Sequence, residues 1–199
     1  RVVGVWSNRA SVDRIVGDFA RAGADMKSTS YPAFNALRKG VPAFESTAAF
    51  QRMSATMMLD GDQRSVRAML ISEGYFDALG AHPFLGRAPG PGDTDALSNP
   101  VVVLSHAFWK SALGGDTTVL GRRLTINGIE YAAAGVMPEG FSGHSTTEVD
   151  LWLPFAAVMR NDPGWDLQPY RNVAGVLARL APDASRADAE RQAGQVIER

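Results

Sequence analysis

The fold of this chain is decided between residues 101 and 155, which read VVVLSHAFWKSALGGD (101–116), VLGRRLTINGIEYAAAGVMPEGF (119–141) and DLWLPF (150–155). The run Val101–Leu104 is apolar without alternation, which predicts a strand buried on both faces. Apolar side chains then recur at helical spacing from Phe108 to Leu113, and Gly114-Gly115 predicts the end of that helix. A short apolar strand is expected again at Asp150–Pro154.

Asn127-Gly128 predicts a tight β-hairpin, because a type I′ turn needs positive φ at both central residues. A two-residue turn fixes the register of the two strands. The predicted pairs are Ile126 with Ile129 and Leu124 with Tyr131 on one face, and Thr125 with Glu130 on the other. The hairpin therefore has an apolar face that another part of the protein must cover.

The first third of the chain mixes helical and strand-like patterns. We expect a strand at Val2–Trp6, followed by a helix over residues 12–19. A second helix is predicted to begin at Tyr31-Pro32, and a broken helix follows over Phe44–Phe50. Two strands are then expected, at Met53–Leu59 and Val66–Ser72, joined by a turn at Gly61-Asp62. Dense glycine and proline predict an exposed loop from Gly86 to Pro100, and further loops follow the hairpin up to Thr147.

The last segment predicts a strand over Asn172–Leu180, a turn at Pro182-Asp183 and a helix opened by a capping box between Ser185 and Asp188. One face of that helix carries apolar side chains, at Ala189, Ala193, Val196 and Ile197. Strand, turn and helix make half of a βαβ unit, and we expect its partner strand in the first segment.

Composition limits the classes of function. The 199 residues are 45% hydrophobic, enough for one domain or two small ones, and no window approaches the roughly 20 apolar residues of a membrane-spanning helix. Cysteine is absent, so disulfides and thiolate metal sites are excluded. A net charge of −1 argues against nucleic acid as a partner. Arg1 leads straight into an apolar run, and we interpret the chain as part of a longer protein.

Charge is distributed unevenly along the chain. The net charge is +4 over residues 1–67, −6 over residues 68–170 and +1 over residues 171–199. An acidic middle between more basic ends suggests an inserted subdomain, with the two outer segments folding together.

No catalytic or metal site is predicted. His82, His106 and His144 lack a second ligand at metal-binding spacing, and GFSGH at residues 140–144 has histidine where the hydrolase nucleophile elbow requires glycine. Ser105 and His106 are adjacent, so a nucleophile and its base would not meet there. The acidic residues Asp93, Asp95 and Asp116 miss the spacing of a calcium loop.

Several aromatic residues lie at helical or strand spacing beside Val and Leu, and we interpret them as core and not as a ligand-binding platform. They are Phe76, Phe108, Trp109, Phe141, Trp152 and Phe155.

Three ordered stretches carry a family resemblance: SEGYFDALGAHPFLGR (72–87), the central stretch of residues 101–155, and RNVAGVLARLAPDASRADAE (171–190). Together they resemble the extracytoplasmic core domain of MacB-like ABC transporter permeases, of the type common in Acidobacteria. The resemblance implies no active site, cofactor or metal, because the matched residues are ones with structural roles. They are Gly86, Gly121, Gly128, Phe141, Trp152 and Pro154.

The resemblance implies an α+β fold with two lobes. A porter-like βαβ lobe would be formed by residues 1–70 and 168–199, and a mostly-β, sabre-like lobe by the inserted residues 71–167. The charge pattern divides the chain near the same positions.

The resemblance also implies a non-catalytic role: a soluble extracytoplasmic domain of an ABC transporter permease in the bacterial inner membrane, coupling cytoplasmic ATP hydrolysis to periplasmic conformational change for export or mechanotransmission. Implied partners are the flanking transmembrane helices, an ABC ATPase subunit or domain, a second permease copy and a periplasmic adaptor. Arg1 and the end of the last helix should then lie at one pole. The alternative is a stand-alone extracytoplasmic module that binds a small molecule or lipid.

Overall fold

The computed structural model describes residues 15–17, 29–93, 100–144, 147–155, 172–173 and 175–197. Its strands are β1 (Ile15–Gly17), β2 (Thr29–Ser30), β3 (Phe44–Leu59), β4 (Asp62–Ile71), β5 (Leu85–Gly86), β6 (Val101–Leu104), β7 (Arg123–Ile126), β8 (Ile129–Val136), β9 (Leu151–Pro154), β10 (Asn172–Val173) and β11 (Gly175–Leu180). Its α-helices are α1 (Tyr31–Gly40), α2 (Tyr75–Leu79), α3 (His106–Leu113) and α4 (Arg186–Ile197). The predicted strand at Val2–Trp6 lies outside the described residues.

Six of these strands close into a ring, which we call the barrel. Strand β3 pairs with β4, β4 with β9, β9 with β6, β6 with β8, β8 with β7, and β7 returns to β3. The return pairing consists of two residue pairs, Met57 with Ile126 and Met58 with Thr125. Closure satisfies the backbone hydrogen bonds that an open sheet would leave at its edges.

Strand β3 also belongs to an extension of the same sheet beyond the barrel. Its first half, Phe44–Phe50, pairs antiparallel with β11, and β11 pairs antiparallel with β1 on its other side. The two-residue strands β2 and β10 pair with each other apart from this sheet. Residues from both ends of the chain are thus joined to the barrel through β3.

Apolar side chains from all six barrel strands meet in one cluster, which places that cluster inside the ring. Helix α3 closes it with Phe108, Trp109 and Leu113. A second cluster is formed by residues of β3, β4, β6, β9 and β11 together with α2, Phe141 and Val149. A third cluster joins α1 to α4 around Leu37, Ala189 and Ala193.

The central stretch folds as its sequence predicts. Strand β6 is buried along its whole length, and α3 ends at Gly114 in the left-handed conformation, with φ 68°. Asn127 and Gly128 have φ of 50° and 78°, and the hairpin has the three predicted residue pairs. The mixed α+β class is likewise confirmed.

Two helix predictions in the first segment are wrong. Ile15–Gly17 is a strand, because these residues pair in register with Arg179, Ala178 and Leu177 of β11. Phe44–Phe50 is the first half of β3, where β11 on one edge and Ile71 on the other take its backbone hydrogen bonds. Long-range pairing overrides local helix propensity at both places.

Other boundaries shift by a few residues. The turn between β3 and β4 is Asp60-Gly61, with φ of 53° and 90°, one residue earlier than predicted. The expected loop from Gly86 begins with the end of β5 and includes a short 3-10 helix at Pro91–Asp93. Ser185 caps α4, since its Oγ accepts the Asp188 N–H at 3.1 Å and donates to the Asp188 carboxylate at 2.6 Å. Ile197 is 39% exposed and does not join the buried face of α4.

Candidate functional site

An open groove of about 280 Å³ lies between the β3–β4 ribbon and the segment that leads into β9. Strand β3 contributes Arg52, Met53 and Ser54, strand β4 contributes Arg67 and Ala68, and the segment before β9 contributes Thr147, Glu148 and Val149. Two arginines and a glutamate surround a mostly apolar floor. Such a surface suits protein contact or a loosely held amphipathic molecule, and it has no nucleophile–base pair.

At one side of this groove, Arg67 of β4 binds the segment that leads into β9. Its Nη2 donates to Asp150 Oδ1 at 2.6 Å, its Nε donates to Asp150 Oδ2 at 3.1 Å, and its Nη1 donates to Glu148. The backbones of Arg67 and Asp150 are also bonded, with the Asp150 N–H donating to the Arg67 carbonyl at 2.8 Å. Hydrogen bonds to Asp150 and Glu148 raise the pKa of the Arg67 guanidinium above its ordinary value.

Next to the groove, His144 and Tyr75 form a polar contact within the second apolar cluster. Tyr75 Oη lies 2.8 Å from His144 Nδ1, and the His144 backbone N–H donates to the same oxygen at 3.3 Å. The imidazole also packs against Phe50, with ring centroids 3.8 Å apart and the ring planes tilted by 40°. The adjacent Gly143 has φ of 89°, and a Cβ there would lie 2.7 Å from Tyr75 Oη.

Burial shifts the proton affinity of both groups. Desolvation raises the pKa of Tyr75 above its ordinary value, because the phenolate would be enclosed in apolar surroundings. Desolvation, with a smaller contribution from the positive charge of Arg52, lowers the pKa of His144 to about 4. Both side chains are therefore neutral at pH 7.

The other two histidines lie elsewhere. His82 is exposed, and the His106 ring lies against Phe84 and Trp109, with centroid distances of 5.6 and 5.3 Å. Within the residues the structure describes, no three His, Asp or Glu side chains are grouped closely enough to hold a metal ion.

The candidate nucleophiles have structural contacts. Ser105 is buried and caps α3, since its Oγ accepts the Phe108 N–H at 3.1 Å. Ser142 lies in the loop that precedes His144.

The aspartates considered for calcium are engaged by donors of this chain. Asp93 accepts from Arg87 Nη2 at 2.9 Å and from the Gly90 N–H at 2.8 Å, and its contact with Arg87 lowers its pKa. Asp116 caps the short 3-10 helix that follows it by accepting the Thr118 N–H at 2.8 Å. Asp95 lies outside the described residues.

The six aromatic residues interpreted as core are all buried, with none more than 9% exposed. Phe141, Phe76 and Trp152 pack together at centroid distances of 5.5 to 6.0 Å, which encloses the cluster beneath His144. The core interpretation is confirmed for these residues.

Sequence reasoning missed Tyr75, Arg52 and Arg67 as parts of the site. Tyr75 and His144 are 69 positions apart, and Arg67 and Asp150 are 83 apart. The parallel pairing of β4 with β9 brings the second pair together, and no local pattern indicates that pairing.

A comparison with known protein families finds one match, which covers nearly the whole chain. The family model described as the MacB-like periplasmic core domain matches residues 2–196. The chain belongs to this family. No curated protein sequence matches the chain significantly.

Solved structures of MacB-like domains share the fold. The periplasmic region of MacB from Actinobacillus actinomycetemcomitans aligns with a TM-score of 0.74 at 18% identity, covering 98% of this chain and 87% of that one. The extracellular domain of the noncanonic ABC-type transporter YknZ from Gram-positive bacteria aligns at 0.62 and 18% identity, covering 84% and 79%. A domain of a putative permease protein from Porphyromonas gingivalis aligns at 0.66 and 21% identity, covering 89% and 79%.

None of the helices in the described residues is long and apolar enough to cross a membrane. The family name places the MacB-like core domain in the periplasm.

Proposed function

We propose that this chain is the extracytoplasmic domain of an ABC transporter permease and that it transmits conformational change driven by cytoplasmic ATP hydrolysis. The family match over residues 2–196 carries the proposal. The similar solved structures support it, because one is the periplasmic region of MacB and another is the extracellular domain of an ABC-type transporter.

The ends of the described chain support a connection to one membrane surface. Strand β1 begins at Ile15, opposite Arg179 near the end of β11. Helix α4 ends beside the end of α1, since a Cβ on Gly40 would lie 3.0 Å from a methyl group of Val196. Gly40 is four residues before Phe44, which pairs with Leu180. The start of β1 and the end of α4 thus approach the same pole, where we place the flanking transmembrane helices. Arg1 and Arg199 themselves lie outside the described residues.

We further propose two lobes that share the strands of the barrel, with the β3–β4 ribbon passing movement from one lobe to the other. Residues 1–70 and 168–199 make the outer lobe next to the membrane, and residues 71–167 make the inserted lobe that projects from it. The acidic balance of the middle segment supports this division. The β3–β4 ribbon connects the two lobes, because β3 pairs with β11 at one end and with β7 at the other.

The proposed partners follow from the permease assignment. They are the flanking transmembrane helices, an ABC ATPase subunit or domain, a second permease copy and a periplasmic adaptor. The groove beside Arg67 offers a surface of mixed charge and apolar character for such contacts.

Distance measurements in the full-length permease test the proposal. The chain has no cysteine, so spin labels can be placed by single cysteine pairs within it. Labels at Glu139 and Gln195, both exposed, report on the inserted lobe relative to α4. Labels at Ala36 and Gln195 form the control pair, because α1 and α4 pack directly against each other.

We expect the Glu139–Gln195 distance to change when the ATPase is trapped with nucleotide, while the Ala36–Gln195 distance stays constant. Constant distances for both pairs would contradict mechanotransmission. A small molecule or lipid that copurifies with the chain and binds in the groove would favour the alternative, a stand-alone binding module.

A further inference from the structure

The barrel closes between β3 and β7 at a contact that we call the seam, formed by residues 56–58 and 125–127. It has two residue pairs, and beyond them a side chain continues the backbone ladder. The Asn127 N–H donates to the Thr56 carbonyl at 2.8 Å, and the Thr56 N–H donates to Asn127 Oδ1 at 2.8 Å. The amide side chain of Asn127 thus takes the place of a backbone carbonyl in the ladder.

The same asparagine begins a chemically labile dipeptide. Asparagine is one of the thermolabile residues of proteins, and Asn127 is followed by glycine, which has no side chain to shield its nitrogen. Gly128 is exposed, and a Cβ built on it would have nothing within 4 Å. Its N–H makes no hydrogen bond to the described residues, because a two-residue turn leaves this group outside the ladder. The Gly128 nitrogen is therefore accessible as a nucleophile.

The reaction open to this dipeptide is deamidation through a cyclic imide. The Gly128 nitrogen, deprotonated by hydroxide, forms a bond to Asn127 Cγ, and the Cγ–Nδ2 bond breaks so that ammonia leaves. Water then opens the imide at either carbonyl group, which gives aspartate or isoaspartate. The closed seam opposes the first step, because Thr56 holds Oδ1 and the peptide plane before Gly128 must leave the type I′ conformation for its nitrogen to reach Cγ.

We propose that Asn127 is a deamidation site controlled by the seam: the closed seam suppresses cyclisation, an open seam permits it, and isoaspartate then prevents the seam from closing again. This chemistry needs only water and does not depend on the proposed function.

The two products differ in their effect on the seam. Aspartate keeps an oxygen at the position of Oδ1, so it can still accept the Thr56 N–H. Isoaspartate lengthens the backbone of the turn by a methylene group, which a two-residue type I′ turn does not accommodate. The bond to Thr56 and the register of the hairpin should then be lost, so that the modification is a permanent record of opening.

Peptide mapping by mass spectrometry of the 199-residue chain, incubated at mildly alkaline pH, tests the control by the seam. The rate of deamidation at Asn127 should scale with the fraction of time that the seam is open. We expect the folded chain to react at least about tenfold more slowly than the same chain unfolded in urea, since a stable contact is open less than about a tenth of the time.

The variant Thr125→Pro should open the seam selectively. Thr125 lies two residues before Asn127 and therefore also points its N–H at β3, whereas Ile126 between them bonds Ile129 within the hairpin. Proline at position 125 removes a donor of the seam and none of the hairpin. We expect deamidation of Thr125→Pro to approach the rate of the unfolded chain, and Thr125→Val, which keeps the N–H, to react at the wild-type rate.

Near-ultraviolet circular dichroism establishes whether Thr125→Pro is folded. A folded Thr125→Pro chain that deamidates at the wild-type rate would contradict control by the seam. The comparison of folded and unfolded wild type needs no variant, and equal rates in the two would overturn the proposal even if Thr125→Pro fails to fold.

Hydrogen–deuterium exchange tests the effect of the product. The isoaspartate form, separated by chromatography, should lose protection of the Thr56 amide, whereas the variant Asn127→Asp should keep it. Unchanged protection of Thr56 in the isoaspartate form would refute the permanent opening. These readouts involve no transport or nucleotide, so they can fail while the permease assignment stands, and the reverse.

Discussion

Single residues in turns were the most predictable part of this molecule. Asn127 and Gly128 occupy positive φ as the sequence predicted, because Asn-Gly favours the type I′ turn, whose twist matches that of the two strands. Asp60 and Gly61 also form a two-residue turn with positive φ at both positions, which the sequence analysis placed one residue too late. Glycine alone does not show whether it is the first or the second residue of a turn.

Gly128→Val should destabilise the chain by on the order of 1–3 kcal/mol, because a β-branched side chain is strained at φ 78°. The measurement is the free energy of unfolding in urea. Gly92→Val is a matched control, since Gly92 also has open space around it but no positive φ. Equal effects of the two substitutions would show that backbone conformation is not the cause.

His144 should make global stability depend on pH. Its folded pKa of about 4 lies below its ordinary value of 6.5, so the unfolded chain binds more protons between these values. The contribution is fully present above pH 6.5 and is lost as the pH falls to about 4. Allowing for screening of a partly exposed ring, we expect a loss of about 2 kcal/mol.

Urea unfolding of wild type and His144→Gln at several pH values measures this contribution. The difference in stability between the two proteins should shrink as the pH is lowered. A difference that is constant with pH would mean that His144 has the same proton affinity in both states.

Ser105→Ala should cost about 1 kcal/mol of stability, because it removes the hydroxyl that caps α3. It should have no effect on hydrolysis, since we expect no turnover of a generic ester by this chain. Ester hydrolysis that disappears in Ser105→Ala or Ser142→Ala would contradict the non-catalytic interpretation. Thermal melting of the same variants separates loss of fold from loss of activity.

At the scale of elements, the sequence predicted segments whose ends carry a local signal. Helix α1 begins after the capping Ser30 with Pro32 in its first turn, and α3 ends at Gly114. The first half of β3 reads FESTAAF and has no strand alternation, and it is a strand because it pairs with β11, while β4 pairs with it only from Phe50 onward. The three residues of β1 depend on β11 in the same way.

The short strand β5 depends on one glycine. A Cβ on Gly86 would lie 2.2 Å from the carbonyl oxygen of Ala134 in β8, and Gly86 has φ of 72°. Gly86→Ala should therefore separate β5 from β8 and cost about 3 kcal/mol, measured by urea unfolding. Gly90→Ala is the control, because its nearest neighbour would be 3.9 Å away. A Gly86→Ala variant as stable as the control would show that β5 adjusts without loss.

At the scale of the whole molecule, neither the barrel nor the groove could be derived from local pattern. Closure rests on pairing between residues near position 57 and residues near position 126, and the groove forms where β4 and the segment before β9 meet. Such contacts depend on the order of strands in space, which alternation and turn signals leave open. The family resemblance supplied the α+β class and the periplasmic assignment instead.

The length of β3 has a mechanical consequence. The sixteen residues of β3 extend roughly 50 Å along the chain, from the sheet shared with β11, where the register shifts next to Phe44, to the β7 side of the barrel. A rod of that length acts as a lever arm: tilting its Phe44 end by about 10° would carry its Leu59 end through roughly 9 Å. Under the proposed function, small displacements at the Phe44 end of β3 would reach its Leu59 end enlarged.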